Sequence, residues 1–282
     1  MSCFASWRLT RRPTGCFSSR RAGSIEIGLW PRGSVPRVRR PHPMIWKGLQ
    51  ESRLLDLEAS LRRDQRQLDR SFSLLQRALK SSLPSAQPAL LLKRSHVEKL
   101  LGNPKRALTT LRRADALLSE QEGTPRLRFA VSFNLAANLL DLSRTREAEK
   151  LLPEVRSQAE AMGNGLDLLR VNWLEALADA ARRRPARAVA SLEKVRDAFA
   201  RQGIAYDAAL VSLDLAIVLL EQGRHAEVRG VAEEMLEIFQ AQKVAPEALA
   251  SVRLFCEATR REVVTVEIAR QAKQELERAG KS

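Results

Sequence analysis

Short breaks in the amphipathic pattern of this chain recur with a constant period of forty, and this period constrains the possible folds more than any other feature. One series of breaks lies at Gly123, Gly163, Gly203 and Lys243-Val244. A second series lies between them, with the same spacing to within one position, at Gly102, Ser143, Arg183 and Gly223. Each break ends one amphipathic segment and begins the next. Two interleaved series with one period predict a repeated unit of a helix, a tight turn and a second helix.

The composition fits long helices and argues against an all-β fold. Leu occupies 43 of the 282 positions, whereas the chain has one Tyr and 8 Phe, and aromatic residues are among those that strands favour. The longest uncharged stretches, such as 129–140, have 12 residues, which is shorter than the roughly 18 residues that indicate a membrane span. We therefore predict an all-α protein without a membrane span, located in the cytoplasm.

Residues that start and stop helices lie at the breaks. Asn103-Pro104 and Thr124-Pro125 each combine an N-cap side chain with proline at the first helical position, where the missing N–H costs nothing. Gly203 suits the left-handed residue that ends a helix. Pro153 is the exception, because it falls inside a predicted helix and is expected to bend it.

These signals place five antiparallel helix pairs, which must stack because no single pair can bury its apolar face alone. The predicted repeat domain covers residues 85–282. Its pairs are approximately 85–121, 125–162, 166–202, 206–242 and 246–279. Residues 44–84 precede this domain, and the amphipathic stretch Leu49–Leu79 within them is either one long helix or a sixth pair with a turn near Arg62-Arg63.

Residues 1–43 differ in composition from the rest of the chain. They hold nine Arg, a single acid (Glu26) and five of the 12 Pro, and so carry +8 of the formal net charge of +15. No apolar periodicity runs through them, and we therefore expect a disordered basic tail. Three interpretations stay open: a start codon assigned upstream of the true one at Met44, a genuine basic tail, or a mitochondrial leader.

The repeat also has sequence features of a known family. Small residues recur on the second helices at Ala107, Ala148, Ala188 and Val228, and a Leu-Ala pair precedes two of them, at 135–136 and 215–216. In this arrangement the chain resembles the tetratricopeptide repeat (TPR), although its period of forty is longer than the roughly 34 residues typical of that repeat. The stretch Tyr206–Val228 is similar to segments of bacterial TPR proteins that act as regulators and sensors. The resemblance implies a right-handed α-solenoid over residues 85–279, with a groove lined by the first helix of each pair.

The resemblance further implies which residues face the groove. Transferring the family's groove positions to this chain selects His96, Phe133, Ala137, Arg170, Trp173, Leu177, Leu213 and Ile217, with Asn134, Asn138 and Asp214 on neighbouring positions. The family's five-residue clamp for a peptide carboxylate does not match, since only Asn134 and Arg170 agree with it. An apolar groove for an amphipathic helix or an extended segment fits better. The alternative is that Phe133, Trp173 and Leu213 are ordinary core residues.

No set of residues typical of catalysis or metal binding occurs in the sequence. The three His, at positions 42, 96 and 225, are scattered and lack Cys or carboxylate partners at ligand spacing. Cys256 follows Leu254-Phe255 on an apolar face and is interpreted as a buried thiol rather than a nucleophile. Common nucleotide-binding, hydrolase and zinc-protease motifs are missing. We therefore predict a non-enzymatic protein with no cofactor and no metal.

A helical repeat without a catalytic set indicates a protein–protein interaction module, an adaptor or regulator that binds a peptide or helix of a protein partner in its groove. The alternative is a nucleic-acid-associated protein that uses the Arg-rich tail, but aromatic side chains that stack on bases are scarce. The repeat register also makes a packing prediction. Ala188 and Ala216 occupy small-residue positions between the two helices of a repeat, so both are expected to be buried, Ala216 close to Ala232.

Overall fold

The computed structural model describes residues 43–120, 124–241 and 246–279, and within these residues it contains helices and no strand. The prediction of an all-α fold is confirmed. A short 3-10 turn, Pro84–Ala86, precedes the second pair. The described helices form six consecutive pairs: α1 Pro43–Asp64 and α2 Leu68–Ser81, α3 Gln87–Leu100 and α4 Pro104–Glu120, α5 Pro125–Asp141 and α6 Thr145–Met162, α7 Gly165–Ala181 and α8 Pro185–Arg201, α9 Ala205–Leu220 and α10 His225–Ala241, and α11 Pro246–Arg260 and α12 Val266–Ala279.

The turn inside each of these pairs has the same hydrogen-bonded geometry. In the α7–α8 turn, the N–H of Arg183 donates to the carbonyl of Ala180 (2.9 Å) and the N–H of Arg184 to that of Asp179 (3.0 Å), which are the two bonds of a Schellman motif. A residue with positive φ occupies this turn in all six described pairs: Arg66, Gly102, Ser143, Arg183, Gly223 and Glu262. Four of the six form the second series of breaks in the sequence, so the period of the sequence has its structural origin in this turn.

The first series of breaks lies between successive pairs. Gly163 and Gly203, which belong to this series, also have positive φ, and Gly163 is the residue at which α6 ends. Gly123 and Lys243-Val244, the other two breaks of the series, lie outside the described residues.

Proline is the first residue of five of the described helices, α1, α4, α5, α8 and α11. At the start of α5, Thr124 accepts a hydrogen bond at Oγ1 from the N–H of Leu127 (3.3 Å), as an N-cap residue does. Asn103 departs from the expected N-cap bond, because its Nδ2 donates backwards to the carbonyl of Leu101 (3.2 Å). Pro153 lies inside α6, and the bend expected there stays a prediction.

The segment Leu49–Leu79 belongs to two helices, α1 and α2, rather than to one long helix. The chain turns at residues 65–67, and the hydroxyl of Ser52 on α1 donates to the carbonyl of Ala78 on α2 (3.1 Å). The two helices share a small apolar core with α3. The tail predicted for residues 1–43 lies, apart from its last residue, outside the described residues.

One continuous cluster of buried apolar side chains extends from α4 to α12. Ala188 and Ala216 are both 0% exposed within it, which confirms the burial predicted from the repeat register. Ala232, on the second helix of the same repeat as Ala216, is buried in this cluster as well. The core is therefore built at the junctions between helices, where small side chains let the helices approach.

The last described pair departs from the repeating arrangement. In earlier pairs a first helix packs against the first helix of the next pair, as α5 does against α7 and α7 against α9. At the end of the series it is the second helix, α12, that packs against α9, while α11 packs against α10 and α12. Helix α12 therefore lies on the face formed by α3, α5, α7 and α9, which we call the first-helix face.

Candidate functional site

A series of ion pairs connects neighbouring repeats along the first-helix face. Each pair joins residues of two different repeats, and the paired helices follow one another along the face. From the N-terminal end, the pairs are Asp56–Lys93, Lys99–Asp141, Arg126–Asp167, Arg170–Asp207 and Asp214–Lys273. Because the two charges of each pair come from neighbouring repeats, the series fixes how one repeat is aligned with the next.

Two of these carboxylates occupy equivalent positions in consecutive repeats. Asp167 and Asp207 lie in the first turns of α7 and α9, and both are 0% exposed. The N-terminal end of a helix favours negative charge, and Arg170 Nη2 donates to Asp207 Oδ2 at 3.1 Å. Arg126 supplies the corresponding cation to Asp167. Each of these two buried carboxylates is therefore paired with an arginine of the preceding first helix.

A buried polar cluster on this face is centred on Asp214 of α9. Trp173 of α7 donates from Nε1 to Asp214 Oδ2 (2.9 Å), and Lys273 of α12 donates from Nζ to the other oxygen, Oδ1. The side chains of Asp214 and Lys273 are only 6% and 4% exposed. Lys273 Nζ also lies 6.0 Å from the centre of the Trp173 ring, within cation–π range. The cluster thus joins α7, α9 and α12 through one carboxylate.

A cavity of about 600 Å³ lies between α12 and the C-terminal ends of the first helices. Several helices contribute charged side chains to its wall, and apolar side chains lie between them. The charged lining residues are Lys99, Asp141, Asp214, Glu221, Arg270, Lys273 and Glu277, and the apolar ones include Leu100, Leu140, Leu177 and Ile217. A cavity of this size accommodates several side chains or a small ligand.

Burial separates the residues that the sequence placed in the groove into two groups. Phe133, Trp173 and Leu213 are almost completely buried and belong to the core cluster, which was the alternative interpretation of these three residues. Asn138 is buried as well. In contrast, Leu177 and Ile217 are half-buried and line the cavity, so these two are accessible to a ligand from the cavity. The binding role of all the groove candidates stays a prediction.

The two other polar candidates on α5 and α7 have partners within the chain. Asn134 is half-buried and donates from Nδ2 to the carbonyl of Ala130 in its own helix (2.7 Å). Arg170 is also half-buried and is engaged with Asp207. Their side chains are therefore positioned by intramolecular bonds.

His96 on α3 is half-buried, and its surroundings disfavour its charged form. Burial, together with the positive charges of Arg63 and Lys99, lowers the pKa of His96 well below its usual value of 6.5. A neutral imidazole does not supply the positive charge that a carboxylate clamp needs. This agrees with the mismatch to the clamp in the sequence.

The contribution of α12 to this site was not predicted from the sequence. Its described buried side chains, Ala269, Ala272, Lys273 and Leu276, have the spacing of one helix face. A lysine in the middle of such a face is the signal that was available, since buried lysines are rare unless they are paired. Nothing local identifies its partner Asp214, which is 59 residues earlier in the chain.

The described residues include one cysteine, which is buried, and no cluster of possible metal ligands. No group of three or more His, Cys, Asp or Glu side chains there is placed to hold a metal ion. Cys256 is 2% exposed, its Sγ donates to the carbonyl of Ala232 (3.0 Å), and burial raises its pKa to about 11. The reactive thiolate is therefore disfavoured.

None of the described helices is long and apolar enough to cross a membrane.

Six described helix pairs with one turn geometry, stacked so that their first helices form a common face, define a TPR-like helical-repeat protein. No protein-family model and no curated protein sequence matches the chain. Among solved structures, it is similar to a Rap protein complexed with competence and sporulation factor, at 13% identity and a TM-score of 0.67, over 82% of this chain and 67% of that one.

Two further solved structures share the fold. NprR in complex with its cognate peptide NprX matches at 13% identity and a TM-score of 0.56, over 81% of this chain and 65% of that one. The TPR-like repeats of a Podosopora anserina kinesin light chain match at 19% identity and a TM-score of 0.51, over 67% and 95% of the two chains. This chain spans about two thirds of the length of the Rap and NprR chains, and at these identities the similarity is one of fold.

Proposed function

We propose that this protein is a non-enzymatic interaction module that binds a helix or an extended peptide of a partner protein at the first-helix face. The observation that carries the proposal is the cavity of about 600 Å³ between α12 and the ends of α3, α5, α7 and α9. It gives the face a recess that side chains of a partner can enter. The lack of a catalytic motif in the sequence is the reason for proposing a module without enzymatic activity.

The chemistry of the cavity wall suits a peptide. Apolar side chains such as Leu177 and Ile217 lie beside charges of both signs, including Lys99, Glu221 and Arg270. Such a wall receives apolar side chains and also pairs with the amines or carboxylates of a peptide. Leu177 and Ile217 were both among the groove residues predicted from the sequence, and both line the cavity. The sequence and the structure thus support the proposal at the same two positions.

The similar structures offer independent support for a peptide as the partner. Rap and NprR were both solved as complexes, one with competence and sporulation factor and the other with its cognate peptide NprX. These ligands are properties of those two proteins. A repeat of the same fold with a recess on its first-helix face is suited to the same type of interaction.

Photo-crosslinking from the cavity tests the proposal. Benzoylphenylalanine is placed at Leu177 in the full chain, or at the exposed Lys150 on α6 as a matched control, and both variants are irradiated in the native host. We expect an adduct with a protein or peptide from Leu177 and none from Lys150. The crosslinked segment, identified by mass spectrometry, is then synthesised and titrated into the purified chain by calorimetry.

The titration includes a variant of the cavity wall. Ile217→Glu places a charge among the apolar lining residues and is expected to abolish saturable binding of the segment while the chain keeps its helical circular dichroism. An adduct from Lys150 combined with none from Leu177 would place the binding surface on the second helices. That result would contradict the proposal.

A further inference from the structure

Helix α12 presents an unusual face to the rest of the chain. Its described buried side chains are two alanines, one leucine and Lys273, which lies in the middle of this face. By comparison, fourteen side chains of α9 are buried. Because hydrophobic stabilisation follows the apolar area removed from water, the two alanines contribute little, and most of the apolar contact comes from Leu276 and the partly buried Val266 and Ile268. Removing the partner of the buried Lys273 would leave an unpaired buried charge and would therefore oppose the docking of α12.

The receiving surface on α9 consists of polar contacts placed around this lysine. Asp214 binds the ammonium group together with Trp173, and the hydroxyl of Tyr206 donates to the carbonyl of Leu276 (3.0 Å). At the rim, Arg270 pairs with Glu221 at 3.1 Å, with both side chains more than half exposed. A buried ion pair is close to neutral in net stability relative to apolar packing, although it strongly discriminates against wrong partners.

We propose that α12 is an intramolecular ligand of the first-helix face, and that the partner is an amphipathic helix with a lysine or arginine at the position of Lys273. This rests on the proposed function, since it names the partner of that same face. The partner's cation takes the place of Lys273 on Asp214 and against Trp173. The partner gains the additional affinity that displaces α12 by filling the space beside Leu177 and Ile217, which α12 leaves open as the cavity.

The choice of a cationic helix follows from the charge of the receiving surface. Asp214 is buried, and a buried carboxylate that loses its cation is costly, so a partner without a positive charge at this position is rejected. The helical form follows from α12 itself, whose residues reach Asp214, Tyr206 and Glu221 from one helix. An acidic or purely apolar helix meets the same surface without these pairings.

The test uses the full chain and a labelled peptide with the sequence of residues 262–279. In the wild-type chain α12 competes with the peptide from within the molecule. Lys273→Glu places a second negative charge beside Asp214 and releases α12, so fluorescence anisotropy is expected to show peptide binding at least about tenfold tighter than to the wild type. Gln271→Glu, which places the same charge at an exposed position of α12 outside the cavity wall, is the matched control and should change the affinity by less than about twofold.

A second peptide, with glutamate in place of Lys273, separates specific recognition from general helix binding. It is expected not to bind to the Lys273→Glu chain. Equal binding of both peptides, or no gain in affinity from Lys273→Glu, would overturn the inference. If the native peptide does not bind while the segment crosslinked at Leu177 does, the inference fails and the proposed function stands.

Hydrogen exchange distinguishes the release of α12 from general unfolding of the Lys273→Glu chain. In the wild-type chain the amides of α12 should exchange faster than those of α9, because a ligand helix opens locally. In Lys273→Glu, protection should be lost in α12 and retained in α5, α7 and α9. Equal protection of α12 and α9 in the wild type, or loss of protection throughout the Lys273→Glu chain, would show that α12 is an integral part of the core and would overturn the inference.

Discussion

At the scale of the residue, the repeat depends on one backbone conformation in the turn between the two helices of a pair. Gly102 and Gly223 adopt it with φ of 80° and 72°, whereas Ser143 and Arg183 adopt it with φ of 58° and 57°. For a residue with a Cβ atom this left-handed conformation costs about 1–2 kcal/mol. Equivalent turns of the same protein therefore differ in strain, although their hydrogen bonds are the same.

Substitutions at these turns should change stability in opposite directions. Arg183→Gly is expected to raise the free energy of unfolding by about 0.5–1 kcal/mol, because the relief of strain exceeds the flexibility that glycine adds to the unfolded chain. Gly223→Ala should lower it by about 1 kcal/mol. An added Cβ at Gly223 meets no atom within 4 Å, so backbone strain alone is responsible.

Urea unfolding measures both changes, with Arg183→Ala as the control. Alanine keeps the Cβ atom of arginine, and this exposed substitution should alter the free energy of unfolding by less than about 0.5 kcal/mol. A loss of stability in Arg183→Gly would mean that the arginine side chain, rather than the turn conformation, stabilises this position.

A second prediction at this scale concerns the small residues of the core. Ala188 and Ala216 are 0% exposed, so leucine at either position forces neighbouring helices apart and should cost about 1–3 kcal/mol. Arg183→Ala and Lys150→Ala, on exposed positions, should hardly move the thermal midpoint. Circular dichroism melts of the four variants compare them directly. If the leucine variants have the same thermal midpoint as the two controls, the register assigned to the repeat is wrong.

The thiol of Cys256 makes a prediction about pH. Its pKa is raised from 9.0 to about 11 by burial, so its contribution to stability is fully present below pH 9 and is lost as the pH rises from about 9 to 11. Urea unfolding at pH 8 and pH 10.5 should therefore show the stability advantage of the native chain over Cys256→Ala shrinking at high pH, by about 1–2 kcal/mol. A pH-independent difference would contradict burial of the thiol.

At the scale of the element, the helices were predictable from the sequence and the position of α12 was not. Breaks, prolines and capping residues are local signals, and the spacing of Gly102, Ser143, Arg183 and Gly223 identified the turns. The contact of Lys273 with Asp214 has no local signal, because it joins residues 59 apart that belong to different repeats. Residues of the groove could not be separated from residues of the core by sequence either. Trp173 and Leu213 belong to the core, and helical periodicity alone does not distinguish a core position from a groove position.

A double substitution tests how α12 is held. Asp214→Ala leaves Lys273 buried without its carboxylate, at a cost of about 3–5 kcal/mol. We therefore expect α12 to undock and its amides to lose protection from hydrogen exchange. Asp214→Leu combined with Lys273→Met replaces both charges by apolar groups and should restore most of that protection. Equal exchange of α12 in the two variants would mean that the ion pair does not control docking.

At the scale of the whole molecule, the helix pair repeats along the described chain. In the last described pair, α12 departs from the repeat and packs on the first-helix face. The ion pairs along this face align successive repeats, and the cavity forms where α12 crosses the ends of α3, α5, α7 and α9. The sequence predicted the repetition because it is periodic. It did not predict the cavity, which exists only because the final pair breaks the period.

The position of α12 across the first-helix face is the central claim, and paramagnetic relaxation measures it most directly. A nitroxide is attached at Gln274, which lines the cavity, in a deuterated chain whose three cysteines have been replaced. The structure predicts broadened amide signals at the C-terminal ends of α3, α5, α7 and α9, for example at Lys99, Leu140 and Ala180. Broadening restricted to α10 and α11, with sharp signals from α3, α5 and α7, would contradict the placement of α12 and with it the cavity.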